Sequence, residues 1–121
     1  MSGVCGVFAL DGAPADAAAL GAVLNAMGHR GPDRSALASD GPCALGHALN
    51  ATTPEALVEP MPWRHASAGC LISADVRLDN REDLLSQLGL DCRERVIGDG
   101  EMILYAYLKW GLDYQFDRRE V

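Results

Sequence analysis

The chain has 121 residues, nearly half of them apolar, and a formal net charge of −7. That length accommodates one domain whose core needs no disulfide staples, and the composition is that of a globular fold, not a disordered chain. The acidic balance and the lack of any basic run argue against a nucleic-acid or anionic-membrane surface. No apolar run approaches the ~20 residues of a bilayer-spanning helix. No charged segment followed by an apolar stretch marks a secretory leader, so a cytoplasmic protein is expected. Cys5, Cys43, Cys70 and Cys92 are scattered without a CxxC pair. Structural zinc needs closely spaced ligands, so no metal site is expected, and Cys43, Cys70 and Cys92 read as buried thiols.

Residues 4–10 (VCGVFAL) form an apolar strand, ended by the Asp11-Gly12 turn and Pro14. Asp16 is placed to cap a helix in which Leu20, Val23, Leu24 and Met27 recur at i, i+3, i+4 and i+7, closed by Gly28. His29-Arg30-Gly31-Pro32-Asp33 is a loop of fixed, irregular backbone. The Asp40-Gly41-Pro42 turn introduces a strand over residues 43–49. Residues 52–65 hold three of the six prolines with little periodicity and read as a long surface loop, a length that points to function. Residues 70–76 alternate as a strand with one buried face. Asn80 is placed to cap a helix over residues 81–88, with Asp83 at the capping-box position and Gly89 as the stop. Asp99 is placed to cap a second helix, whose stripe is Ile103, Ala106, Tyr107 and Trp110 and whose end is Gly111. Residues 114–121 are charged and add no strand. The order is that of an α+β or layered α/β domain with few strands.

Ser2 is the first candidate for chemistry. With Gly3 and Val4 behind it, Met1 is expected to be trimmed, leaving a hydroxyl and an α-amine on one residue: a nucleophile with its own base. An apolar strand follows at once, so this terminus is placed, not frayed.

The segments MSGVCGVF, HRGPD (29–33), LGH (45–47), ADVRLDNREDL (74–84) and GDGEMILYAYLKWG (98–111) occur in an order that resembles one family. It is the N-terminal class II glutamine amidotransferase domain, of Ntn-hydrolase type, of asparagine synthetase and its relatives. The resemblance spans almost the whole chain. It implies an α+β fold, a four-layer α/β/β/α sandwich of two antiparallel sheets between helices, here incomplete at the C-terminus. It also implies an N-terminal Cys that attacks the side-chain amide of glutamine with the α-amine as base, and an oxyanion hole for the tetrahedral intermediate. An Arg and an acidic residue bind the glutamine α-carboxylate and α-ammonium. The ammonia passes to a synthetase domain that activates a carboxylate with ATP.

Position by position, the chain departs from that pattern. The nucleophile slot holds Ser2. The Asn-Gly oxyanion pair falls at Asp75-Val76, where a carboxylate brings the wrong sign of charge. The carboxylate-binding Arg falls at Leu49. Arg30 and Asp99, the latter the counterpart of the ammonium-binding Asp, are retained, although Arg30 could pin its loop and Asp99 could cap its helix. In a rival register Cys5 becomes the nucleophile after removal of residues 1–4.

The MSG start, the Leu10-Asp11-Gly12 turn and TTPEAL (52–57) look like the branch of β-lactam synthetase and the lasso-peptide cyclases, where no free ammonia is needed. The resemblance therefore implies a domain without glutaminase activity that packs against the synthetase domain of the same protein. The alternative is a working amidotransferase using Ser2, or Cys5 after processing, with glutamine as ligand. ATP and magnesium are expected only in the synthetase half, since no SGGxD-like loop occurs here. The early stop reads as a fragment or a truncated reading frame, whose open sheet edges predict pairing with another chain, as a homodimer or aggregate. His47 reads as a hydrogen-bonded structural residue, Trp63 and His65 as loop anchors, and Tyr105, Tyr107 and Trp110 as core or interdomain surface.

Overall fold

The computed structural model describes residues 2–65, 67–91, 93 and 95–111. The expectations for Cys92 and for residues 114–121 lie outside them. The chain forms a mixed α+β structure of two compact units, Met1–Pro54 with Pro60–Asp75, and Glu55–Glu59 with Val76–Val121.

The first unit is built on a three-stranded antiparallel sheet in the order β1 (Gly3–Phe8), β3 (Cys43–Leu49), β2 (Arg34–Asp40). Cross-strand partners share a face, so the pairing of Cys5 with Gly46 and of Val4 with His47 places these two sets on opposite sides. Helix α1 (Ala17–Ala26) covers the Cys5/Gly46 side with buried Leu20 and Leu24, and Asp16 caps it by accepting the Ala19 N–H at 3.0 Å. Ala44, Gly46 and Ala48 on β3 are small, which lets the helix come close: a Cβ on Gly46 would meet the Leu24 methyls at 3.5 and 3.7 Å. Val23, expected on the buried stripe, is largely exposed. A second, two-stranded sheet pairs β4 (Trp63–His65) with β5 (Cys70–Ile72). Arg64 bonds the Ser39 carbonyl at 2.7 Å and pairs with Asp40 at 3.1 Å, and Ser73 meets His47, so this sheet attaches on the side away from α1.

Strand β2 was not foreseen. Its sequence, RSALASD, is polar and mostly exposed, as an edge strand can be, so hydropathy does not reveal it. The two-residue turn at Gly41-Pro42 does: Gly41 takes φ 57°, the positive value that a tight hairpin needs. The stretch over 52–65 is likewise no plain loop, since it contains α2 (Pro54–Val58) and β4. The strand expected over 70–76 ends at Ile72, and Asp75 and Val76 are exposed. Cys5, Cys43 and Cys70 are free thiols of intermediate exposure, less buried than expected for Cys43 and Cys70.

In the second unit α3 (Arg81–Leu88) and α4 (Asp99–Trp110) pack through Leu84, Leu85, Ile97 and Met102, with Leu78, Leu90 and Trp110 around them. The buried face of α4 runs through Met102, Leu104 and Ala106, and Tyr107, on the expected stripe, is exposed. Gly89 ends α3 in the left-handed conformation, as expected. Asn80 occupies the N-cap position of α3 without a side-chain bond, so the expected capping is not made.

Asp99 does not cap α4 either. Its carboxylate pairs with Arg81 and accepts the Leu78 N–H at 2.9 Å, and Gly98 is the N-cap. The orphan donors of the first turn go to Glu59, which accepts the N–H groups of Gly100 and Glu101, the latter at 3.0 Å. A Cβ at Gly98 would push the Glu59 carboxylate out of this position. The Glu101 side chain is itself buried, held by Arg95 and by the Tyr105 hydroxyl, which donates to it at 2.7 Å.

Burial raises the Glu59 carboxyl above its ordinary value; the two N–H bonds oppose this, and the charges of Asp99 and Glu101 add to it. An acid raised in the fold binds its proton there first, so stability grows as pH falls through the raised value toward the ordinary one. Glu59→Gln, which keeps an acceptor and removes the charge, should match or exceed the wild type in urea at pH 7 and lack that gain. Glu59→Ala should lose the cap, at about 0.5–2 kcal/mol.

Candidate functional site

The start of β1, the turn after α1 and the end of β3 meet in the first unit. Residues 28–31 turn tightly: Gly28–Arg30 is a 3₁₀ turn, with the Gly31 N–H on the Gly28 carbonyl. Gly31 is then pressed flat against the β3 backbone, where a Cβ would overlap the Ala48 carbonyl and the Leu49 nitrogen. Asp33 completes the dock: its N–H donates to the Leu49 carbonyl at 3.0 Å, and its carboxylate accepts the Ala51 N–H at 2.8 Å.

Ser2 lies at the same place and is only 7 % exposed. Its Oγ accepts the Asn50 N–H at 2.8 Å and donates to the Asn50 carbonyl at 3.3 Å. The single hydroxyl proton is thus directed at a main-chain carbonyl. The α-amine that would serve as base belongs to Ser2 only once Met1 has been removed. Neither Asn50 nor its role was legible in the sequence, because a main-chain partner leaves no side-chain signature.

The other candidates divide. The stem of Arg30 lies beside Gly3, its Cδ 3.5 Å from where a Cβ would be. Its guanidinium is exposed and has no hydrogen bond or ion pair among the described residues, so it does not pin the loop through carbonyls. Leu49 is a core residue, 6 % exposed. Cys5 lies mid-strand on the side facing α1, over Gly46. Asp75 is exposed and acts on His47 through its charge. Asp99 belongs to the second unit, with its carboxylate on Arg81.

His47 is buried at 3 % exposure, with Nδ1 3.1 Å from the Ser73 Oγ. The Ser73 hydroxyl donates to the Gly46 carbonyl at 3.1 Å, so the proton between His47 and Ser73 must come from the ring: the neutral tautomer here is Nδ1–H. Burial holds the imidazole below its ordinary value; Asp75 opposes this and Arg34 reinforces it. Ser73 is a second residue that sequence reasoning missed. Among the described residues no group of three or more His, Cys, Asp or Glu side chains could hold a metal.

Gly31→Ala should destabilise the protein by about 1–3 kcal/mol in urea unfolding, the cost of forcing backbone apart. Gly28→Ala, three residues earlier and with open space around it, should be close to neutral. For His47 the unfolded chain takes up its proton first, near pH 6.5. Its contribution is intact above that value and is lost as pH falls through it toward the lowered folded value. Wild-type stability should therefore drop between pH 7.5 and 5.5, and His47→Gln should flatten the drop.

A family model described as a glutamine amidotransferase domain matches residues 1–118. A search of curated proteins finds no match. Ser2 and the HRGPD turn, the pieces that meet at the end of β3, lie within the matched region, which takes in all but the last three residues. The chain belongs to the glutamine amidotransferase domain family.

Proposed function

We propose that this amidotransferase-type domain serves an ATP-dependent amide ligase related to asparagine synthetase, in which glutamine hydrolysis has been lost and the domain acts as a scaffold for the synthetase half. The observation that carries the reading is the Ser2 hydroxyl, buried and bonded twice to the Asn50 main chain. A group so held works as a staple, and a nucleophile needs its proton directed at a base. Two further positions support it. Leu49, where the carboxylate-binding Arg is expected, is packed in the core, and Asp75, at the oxyanion position, brings negative charge. On this reading the layering is the four-layer sandwich of the Ntn hydrolases, ATP and magnesium act only on the synthetase half, and two copies pair through open sheet edges.

One observation favours a second reading, a working amidotransferase. Arg30, whose stem lies beside Gly3, is exposed and its guanidinium makes no hydrogen bond or ion pair among the described residues, which suits it to a glutamine carboxylate. Intact-mass analysis after treatment with the glutamine analogue diazo-oxo-norleucine separates the two. The scaffold reading expects no adduct. A stoichiometric adduct on Ser2, or on Cys5 at a newly exposed terminus, would establish the glutaminase. Ser2→Ala should lower stability by about 0.5–1.5 kcal/mol, the cost of losing the part-buried hydrogen bonds to Asn50, and should leave the background rate of glutamine hydrolysis unchanged.

A further inference from the structure

Among the described residues β1 is an edge strand of the three-stranded sheet. The Ala9 N–H donates to the Pro42 carbonyl at 2.8 Å, and the residues that bond a given neighbour alternate along an antiparallel strand. Gly3, Cys5 and Val7 therefore turn their main-chain groups to β3, and Val4, Gly6 and Phe8 turn theirs away from it. Those three make no other main-chain bond among the described residues. Residues 2–10 carry no charged side chain and no proline, the features that usually blunt an edge. Val4 and Phe8, on the sheet face away from α1, are 47 % and 62 % exposed. The opposite edge, β2, is guarded. It begins at Arg34 and ends at Asp40, and Arg64 takes up both the Ser39 carbonyl and the Asp40 carboxylate.

We infer that β1 pairs antiparallel with β1 of a second copy of this chain, about a two-fold axis at Gly6. This names the edge and the register of the pairing of copies proposed above, and it rests on that pairing. Self-complementarity selects the occupant. The three outward-turned residues are spaced evenly about Gly6, so Val4 of one copy lies opposite Phe8 of the other and Gly6 faces Gly6. All of their free N–H and C=O groups are then satisfied at once. A shift of one residue would set outward groups against inward ones, and a shift of two would carry one of the three past the end of the strand. Two copies of a chain with net charge −7 repel, and this edge is free of charged side chains. Each Phe8 also lies diagonal to Gly6 of the other copy, where the absent side chain leaves room for the ring. The axis is normal to the sheet, so the exposed Val4 and Phe8 of both copies meet on one face and both α1 helices lie on the other. With β1 consumed and β2 guarded, the assembly closes as a dimer.

The test is sedimentation equilibrium of the 121-residue chain from micromolar to sub-millimolar concentration, with amide hydrogen exchange followed by NMR over the same range. A monomer–dimer equilibrium is expected, in which the Val4, Gly6 and Phe8 amides gain protection as dimer forms. Val4→Lys and Phe8→Glu, each at an exposed side chain, should weaken the dimer about two- to thirty-fold, because the two-fold axis makes each substitution count twice. Combining them sets the new ammonium opposite the new carboxylate and should recover affinity relative to either single variant. Sedimentation as a monomer throughout would overturn both this inference and the pairing of copies on which it rests. A dimer that both single variants leave intact, or in which β2 amides gain the protection instead, would overturn the β1 edge and spare the pairing. Failure of the double variant to recover affinity would overturn the register.

Discussion

One constraint organises the first unit: backbone pressed on backbone where Gly31 lies flat against Ala48 and Leu49. No residue with a Cβ fits at that point without moving the end of β3. Around that contact the main chain of residues 49–51 is bonded from two sides, by Asp33 from the turn and by Ser2 from the start of β1. The pieces are distant in sequence and each is weak alone. Together they fix where β1 begins, and so where Ser2 sits. The same close packing continues along β3, whose Ala44, Gly46 and Ala48 let α1 descend onto the sheet.

How far the sequence revealed this depends on the kind of signal. Helix α1 was legible because its N-cap, its stripe and its closing glycine agree, and α3 because its Gly89 stop does its work in the main chain. Strand β3 was legible from a short apolar run after a turn triplet. Strand β2 was hidden because an exposed edge strand need not alternate in hydropathy. The short α2 was hidden among prolines, and Glu59, the residue after it, caps the first turn of a helix by accepting an N–H 42 positions away. Asp99 shows the converse error: a residue in the right place to cap α4 was drawn off by Arg81, a competition that local spacing cannot register.

At the site, the family resemblance pointed to Ser2, Arg30, Asp75 and Asp99, and geometry gives each a different standing. Ser2 is committed to main-chain atoms, Asp99 to an ion pair, Asp75 to open solvent, and Arg30 to nothing among the described residues. The resemblance could name these groups. It could not say which were already engaged, because engagement is decided by partners such as Asn50, Ser73 and Arg81 that carry no functional signature of their own.

Helix α4 takes its cap from a carboxylate encoded before β4 and β5, so the second unit is discontinuous along the chain. A segment beginning after β5 would carry α3 and α4 without Glu59, and the first turn of α4 would have only water for those donors, at a cost of about 0.5–2 kcal/mol. A contiguous segment that keeps Glu59 with α4 also carries the β4–β5 hairpin, so the cap ties the helices to the stretch of chain that forms that hairpin.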